Sequence, residues 1–442
     1  MFTEDGSGEI WLDISRSLWT IFRSRLTGID RVELAYARTL ARQFPDRLRF
    51  VAYNYFDGGF RRLPTRRTAD LIAGIAPAWD EGRMGAVRTC ALLRLIEGMT
   101  IAPRLPRRYG GGSRPLYLNV STHPLHLVDA VGRMLARTGA VFVPLIHDLI
   151  PISHPEYVPP AWTEYHHRRL QTIAQFADGV ISNSATTAAQ IRARFPALPV
   201  IAAHLGADLG AIGSPPTQGA PSEPYFLCVG TIEPRKNHLL LLQIWRRLVE
   251  TMGPATPRLV LVGRRGWENE QVLDVLHRCE AIRQHVSELG MVSDNRLATL
   301  IGGARALLMP SFVEGYGLPV AEALAAGVPA ICSDIPAHRE IGRGVPDLLD
   351  PLDGPGWTRA IAEFAGADSA LRRAQLARLA GWPIPTWQAH LDTVLSFAFS
   401  LVPRRADPQS RWSRSPWNSS IPRHQATNAA SAASRVISQR RG

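Results

Sequence analysis

Glu314-Gly315-Tyr316-Gly317-Leu318-Pro319-Val320-Ala321-Glu322-Ala323-Leu324-Ala325-Ala326-Gly327-Val328-Pro329 joins two short apolar runs, residues 306–310 and 328–332. Both runs read as buried strands, and the segment between them as a tight turn opening into a short helix. Gly315 and Gly317 allow the turn and a close backbone approach to a ligand. Pro319 suits the first helical position and Gly327 the position just past the last turn. With free N–H groups expected at Gly317, Leu318 and Val320, the helix start is predicted to hold an anion. Glu314 stands just before that start and Glu322 a turn inside it. Carboxylates so close to an anion site suit the paired hydroxyls of a sugar, as in ribose recognition.

The same grammar extends outward. Residues 225–230 and 258–263 are apolar runs ending in glycine, each followed by an amphipathic stretch, 238–249 and 269–284. Continuous apolar strands alternating with helices predict a parallel sheet covered on both faces, with ligands beyond the strands' carboxyl ends. The N-terminal half repeats the pattern: strands are expected at 10–14, 49–53, 116–119, 140–146, 179–182 and 200–204, and a helix opens at 28–33. A further helix, capped by Asn183 and Ser184, is expected from about residue 185. The arginine-, proline- and glycine-rich stretch 61–112 yields no elements. Residues 211–224 (AIGSPPTQGAPSEP) read as a linker. The expected fold class is α/β, with two doubly wound domains and a cleft between them: an N-terminal domain at 1–210, the linker at 211–224 and a C-terminal domain at 225–385. A C-terminal helix at 386–402 is expected to return to the N-terminal domain.

At 442 residues, with 45% apolar and 20% charged content, the chain has the composition of an ordinary globular protein with two cores. Cys90, Cys228, Cys279 and Cys332 are scattered, without zinc spacing, and suit a reduced compartment. The start of the chain is acidic and polar and does not read as a secretory signal, so a cytoplasmic location is expected. Residues 403–442 hold eight arginines against one acid, Asp407, and are rich in Ser, Pro, Ala and Asn, which predicts a disordered basic tail. That tail suits an anionic partner, either a membrane surface or nucleic acid, or else solvent alone. The apolar end of the last helix, 393–402, either lies in a membrane surface, giving a peripheral seat at the inner face of the membrane, or packs on the first domain. With no aromatic-basic recognition motif, no nucleic-acid partner is expected.

Of 50 basic residues, Lys236 alone is lysine. It lies in Gly230-Thr231-Ile232-Glu233-Pro234-Arg235-Lys236-Asn237, after the strand at 225–230. A compact ammonium reaches a phosphate where a guanidinium fork does not fit. The glutamate pair around Gly-Tyr-Gly-Leu-Pro resembles the signature of GT-B retaining glycosyltransferases of the large family four. The Gly230–Asn237 loop is similar to that family's basic loop, especially in bacterial mannosyltransferase-like members making polysaccharide or lipid-linked glycans. Leu289-Gly290-Met291-Val292 resembles its base-reading strand, and His204-Leu205-Gly206-Ala207-Asp208 its step into the interdomain linker.

The resemblance implies two Rossmann-like domains in the GT-B arrangement. It implies transfer of a hexose, mannose favoured, from a nucleoside diphosphate sugar to a saccharide or lipid-linked saccharide, with retention, in cell-surface polysaccharide synthesis. Arg235 and Lys236 would clamp the diphosphate, helped by Gly230 and by Gly317, Leu318 and Pro319. Met291 and Val292 would read the base, Glu322 would bind the ribose, and Glu314 the hydroxyls of the transferred sugar. Gly28, in Leu26-Thr27-Gly28-Ile29-Asp30-Arg31, resembles the family's glycine loop facing donor phosphate and acceptor; a simple turn explains it nearly as well. His147, beside Asp148 at a strand end, is either the histidine that bonds the transferred sugar or half of a capping pair. His166 and His167 suit a solvated or acceptor-side face rather than a metal. No cofactor is expected, and metal-independence is, because Arg235, Lys236 and a helix start supply the positive charge. The rival readings are a nucleotide-sugar epimerase of this fold and an inactive relative serving as a membrane-associated assembly factor.

Overall fold

The computed structural model describes residues 8–20, 27–80, 84–100, 102–106, 114–207 and 224–402. Seven strands form the first sheet: β1 Ile10–Asp13, β2 Leu48–Asn54, β3 Gly59–Arg62, β4 Leu116–Asn119, β5 Val141–Ile146, β6 Val180–Ser182 and β7 Val200–Ala202. Six form the second: β8 Tyr225–Val229, β9 Arg258–Val262, β10 Val286–Gly290, β11 Ala306–Met309, β12 Ala330–Ser333 and β13 Asp347–Leu349. The strand orders are β3-β2-β1-β4-β5-β6-β7 and β10-β9-β8-β11-β12-β13. Every pairing is parallel except the β2–β3 hairpin. These are two doubly wound α/β domains.

Helices cover both faces of each sheet, so the central strands bury both sets of alternate side chains. Ile10 and Leu12 enter one layer of β1's surroundings while Trp11 enters the other. In β8, Leu227 faces one layer and Phe226 and Cys228 the opposite one. The strand order reverses between β1 and β4 and between β8 and β11. Ligands of such sheets sit at these reversals, which places the segments after β8 and β11 side by side.

Residues 61–112 are more ordered than their composition implies. They contain part of β3 and two helices, α2 (Thr65–Asp80) and α3 (Met84–Thr100), with Pro77 inside α2. Leu71, Ile72 and Ile75 supply a buried stripe that outweighs the local breaker. The helix expected over 269–284 is two, Glu270–Arg278 and Glu280–Arg283, because Cys279 is extended. The last helix, residues Trp387–Ser400, packs on the first domain. Its His390 bonds the Tyr36 hydroxyl at 2.6 Å, Leu391, Val394, Leu395 and Ala398 are buried, and Phe397 and Leu401 lie directly over Gly179. Its apolar end therefore packs on the first domain, one of the two placements expected for it. No helix among the described residues is long and apolar enough to cross a membrane. Residues 211–223 of the expected linker, and the expected basic tail, lie outside the described residues.

A buried acid pair supports the end of β1. Asp13 accepts from the Tyr117 hydroxyl at 2.7 Å, and Glu33, on α1 (Gly28–Gln43), accepts from the Ser17 N–H at 2.8 Å. Burial pushes the Glu33 carboxyl up to about 7 and Asp13 to about 6, against their hydrogen bonds. A raised folded-state pKa means that the bound proton stabilises the fold. For Glu33 that contribution is complete below its ordinary value of 4.5 and is lost as pH rises through about 7. Thermal melts should show a lower Tm at pH 8 than at pH 5. Glu33→Gln should flatten the part of the fall above pH 6; an unchanged slope would contradict this.

Candidate active site

β8 ends in the loop that carries Lys236, and β11 ends in the turn that carries Glu314. The two loops meet. Lys236 Nζ lies 2.5 Å from Glu314 Oε1, and Arg235 Nη1 lies 2.8 Å from Glu314 Oε2. Ser311 Oγ also donates to Glu314 Oε1 at 2.7 Å, and Arg235 Nε is 2.6 Å from Glu233. Lys236 is 8% exposed, its stem running across Gly230. Burial raises the Glu314 carboxyl, but Arg235 and then Lys236 outweigh it and hold the group well below the usual carboxylate range. The carboxylate is therefore ionised, and it orients both side chains.

The turn after Glu314 leads to α7 (Leu318–Ala325). Gly317 has φ +93°, a left-handed conformation that glycine adopts without strain, and is the N-cap. Leu318 is the first helical residue and Pro319 the second. The Val320 N–H, expected to be free, donates to the Gly317 carbonyl at 2.9 Å. The reason is that the carbonyl of the N-cap residue turns into the first helical turn and takes this donor, and Pro319 carries no N–H, so fewer donors are left at the tip. His338, on α8 (Pro336–Gly342), packs beneath Gly317, and its Nδ1–H donates to the Ser333 carbonyl at 2.9 Å. Met291 and Val292 follow β10 rather than lying within it. Two strand spacings of roughly 4.8 Å separate β10 from β8, which sets them apart from the lysine loop along the same sheet edge.

The first domain forms the facing wall. A Cβ added to Gly315 would come within 2.3 Å of the His147 carbonyl oxygen and 2.8 Å of Asp148 Cβ, and Ser184 Oγ donates to the Gly315 carbonyl at 2.7 Å. His147 is buried, its Nε2–H donating to the Val120 carbonyl at 2.8 Å, and burial lowers its pKa, so the ring is neutral. Gly28 is the exposed first residue of α1, whose start is held by a Thr27–Asp30 capping box and by Arg16 on Asp30 at 2.6 Å. One turn along α1, Arg31 crosses to the second domain and meets Glu322 at 2.7 Å and Asp294 at 3.4 Å. Burial raises the Glu322 carboxyl and Arg31 opposes the rise.

Further contacts join the walls. Tyr157 stacks on Phe312 at 5.7 Å between centroids, and Trp162 packs on Trp267 at 4.8 Å. Glu340 caps α5 (Ala185–Arg194) from outside, accepting from the Ala185 and Thr186 N–H groups at 2.5 and 2.9 Å and meeting His204 at 2.7 Å. Burial pushes its carboxyl up, and these partners bring it down to about 2. Arg31 and Glu340 carry no signal in the sequence, because each works through a partner far along the chain; sequence reasoning also misses His338. Of the two expected caps, Ser184 is the N-cap of α5, accepting from Thr187 N at 3.1 Å, whereas Asn183 lies one residue before it and its Oδ1 accepts no hydrogen bond among the described residues. His166 is buried and only His167 is exposed.

Residues 215–343 match the family model for glycosyl transferases group 1. The chain is 31% identical over 242 residues to the serotype-specific mannosyltransferase WbdA of Escherichia coli, covering 49% of this chain and 29% of that protein. It is 31% identical over 238 residues to the O-antigen chain mannosyltransferase B of Escherichia coli, covering 51% of this chain and 62% of that one. The chain thus spans less than two thirds of either relative. Among solved structures, the fold is similar to that of sucrose-phosphate synthase from Thermosynechococcus elongatus, with TM-score 0.51, 22% identity, and 65% and 73% of the two chains covered.

Proposed function

We propose that this protein transfers a hexose, mannose favoured, from a nucleoside diphosphate sugar to a saccharide or lipid-linked saccharide, with retention, in cell-surface polysaccharide synthesis. The observation that carries this reading is the meeting of Arg235, Lys236 and Glu314 at the start of α7, opposite His147. The similarity to a serotype-specific mannosyltransferase and to an O-antigen chain mannosyltransferase supports the sugar and the pathway class.

In this reading the donor lies along the carboxyl edge of the second sheet. Met291 and Val292 take the base, Glu322 the ribose, and Arg235, Lys236, Gly230 and the Gly317–Leu318–Pro319 turn the diphosphate. Glu314 accepts from hydroxyls of the hexose while keeping both cations in place. His147 presents the unprotonated Nδ1 of its ring towards the same sugar, and Gly28 lies on the acceptor side. The anomeric carbon–oxygen bond to the diphosphate breaks, and the acceptor oxygen bonds that carbon on the same face. The acceptor's proton passes to the leaving phosphate oxygen. Glu314, bound by two cations, is not placed as a covalent nucleophile, unlike the paired carboxylates of retaining glycosidases. The fixed cations stabilise the charge on the leaving group, so turnover in excess chelator is expected to be unchanged. A cytoplasmic seat at the inner face of the membrane belongs to the same proposal and rests on the arginine-rich stretch from residue 403.

A panel of nucleotide sugars in a thermal-shift assay, followed by product analysis with and without oligomannoside acceptors, tests the reading. A matched donor should raise Tm by mass action, and sugar should appear on the acceptor. An epimerised nucleotide sugar formed without acceptor would replace this reading by the isomerase, and no donor binding would replace it by the inactive relative.

A further inference from the structure

The helix α4 (Pro160–Phe176) presents Trp162, Tyr165, His166 and Arg169 along one face, at positions i, i+3, i+4 and i+7. Tyr165 packs edge-on to His126 at 5.1 Å between centroids, His126 lies 5.5 Å from His123, and His123 lies 5.9 Å from Tyr55, whose hydroxyl bonds it. The row therefore runs from α4 across the ends of β4 and β2, on the first domain's wall beside His147 and Asp148. Its two end rings are open to solvent, Tyr165 at 47% exposure and Tyr55 at 44%.

The polar atoms of this row are unusual. His126 Nδ1, both ring nitrogens of His166 and Arg169 Nε are buried and have no hydrogen-bond partner. Buried polar groups are normally paired, because leaving them unpaired forfeits their hydration. Arg169 also makes no ion pair among the described residues. Its charged neighbours are Arg16, which repels it, and Asp148, whose Oδ1 accepts from the Ile150 N–H at 3.0 Å and which stays beyond ion-pair distance. Burial also keeps His126 and His166 neutral, with Arg169 adding to the effect, so neither imidazole carries a charge that an anion could neutralise at pH 7. A half-buried guanidinium thus has only the longer-range attraction of Asp148 and no ion-paired partner among the described residues. Arg235 and Lys236, on the opposite wall, are already engaged with the glutamates, and in the proposed function they serve the donor.

We propose that Tyr165, His166, Arg169 and His126 form an acceptor subsite, and that it takes a saccharide carrying an anionic group, phosphate or carboxylate, which pairs with Arg169. The rings supply flat apolar surface to a sugar face and the neutral imidazoles receive its hydroxyls, while the guanidinium matches the planar or tetrahedral anion in a bidentate fashion. This rests on the glycosyltransferase reading and adds to it a requirement: the acceptor is charged close to its reacting sugar.

The test is calorimetry on the full chain with the donor site filled by saturating GDP, or UDP if that binds more tightly. Three probes are titrated: mannose 1-phosphate, methyl glucuronide and the neutral methyl mannoside. At least one charged probe should bind tenfold or more tightly than the neutral one. A preference for the phosphate points to a phosphate-linked acceptor, and a preference for the carboxylate to an acidic sugar. Arg169→Met should abolish the preference while leaving nucleotide affinity within twofold, and Arg169→Lys should restore part of it. Equal binding of charged and neutral probes by the wild type, which needs no variant to fold, overturns the inference. So does an undiminished preference in Arg169→Met. Failure of both nucleotides to bind would instead remove the glycosyltransferase reading beneath it.

Discussion

Lys236→Ala should lower sugar transfer by about a hundredfold to a thousandfold, the range seen when one preorganised donor to developing charge is removed. The variant should still fold. Without the ammonium, Glu314 keeps Arg235 at 2.8 Å and Ser311 at 2.7 Å, so no buried carboxylate is left bare. Lys236→Arg should be nearly as inactive, because the lysine stem lies against Gly230 in a space too narrow for a planar fork. Glu314→Gln is the complementary change. It leaves Arg235 paired with Glu233 but Lys236 buried without its carboxylate, so it should lose both activity and stability. Initial rates with the matched donor, beside thermal melts of each variant, decide the matter. Transfer by Lys236→Ala within threefold of the wild type would remove the ammonium from the reaction.

Gly315→Ala tests the facing wall. The added methyl would meet the His147 carbonyl at 2.3 Å, a backbone atom that cannot swing aside. The two walls would have to part by roughly 1 Å, a displacement that can cost about a hundredfold in rate when it separates aligned reacting groups. Nucleotide affinity should stay within a few-fold, because Arg235, Lys236 and α7 all belong to one domain. The expected signature is a low kcat with nearly normal nucleotide binding. Normal turnover would show that contact between Gly315 and His147 is not part of the working geometry.

These two sites differ in how far the sequence announces them. The lysine loop and the Glu314 turn are local: each begins where an apolar strand ends in glycine or proline, and the strand order then brings the two together at the reversal between β8 and β11. The pairing partners across the cleft are not local. Arg31 is one of 49 arginines, and nothing near it in the chain marks it as the residue that reaches Glu322. Glu340 caps a helix 154 and 155 residues away, a contact that no spacing rule reports. The stretch 61–112 was opaque for another reason. Its prolines and glycines suggest irregular backbone, while the apolar stripe of α2 does its stabilising work only against the rest of the core. At the helix start, the pattern predicted the turn and the short helix but not the fate of the Val320 N–H, which the N-cap carbonyl of Gly317 takes up.

A crystal structure with the matched nucleoside diphosphate bound tests the central claim most directly. The account predicts the diphosphate within hydrogen-bond distance of Lys236 Nζ, the Arg235 guanidinium and the Leu318 N–H, with ribose hydroxyls on Glu322. A diphosphate bound away from Lys236 and the start of α7 would contradict it.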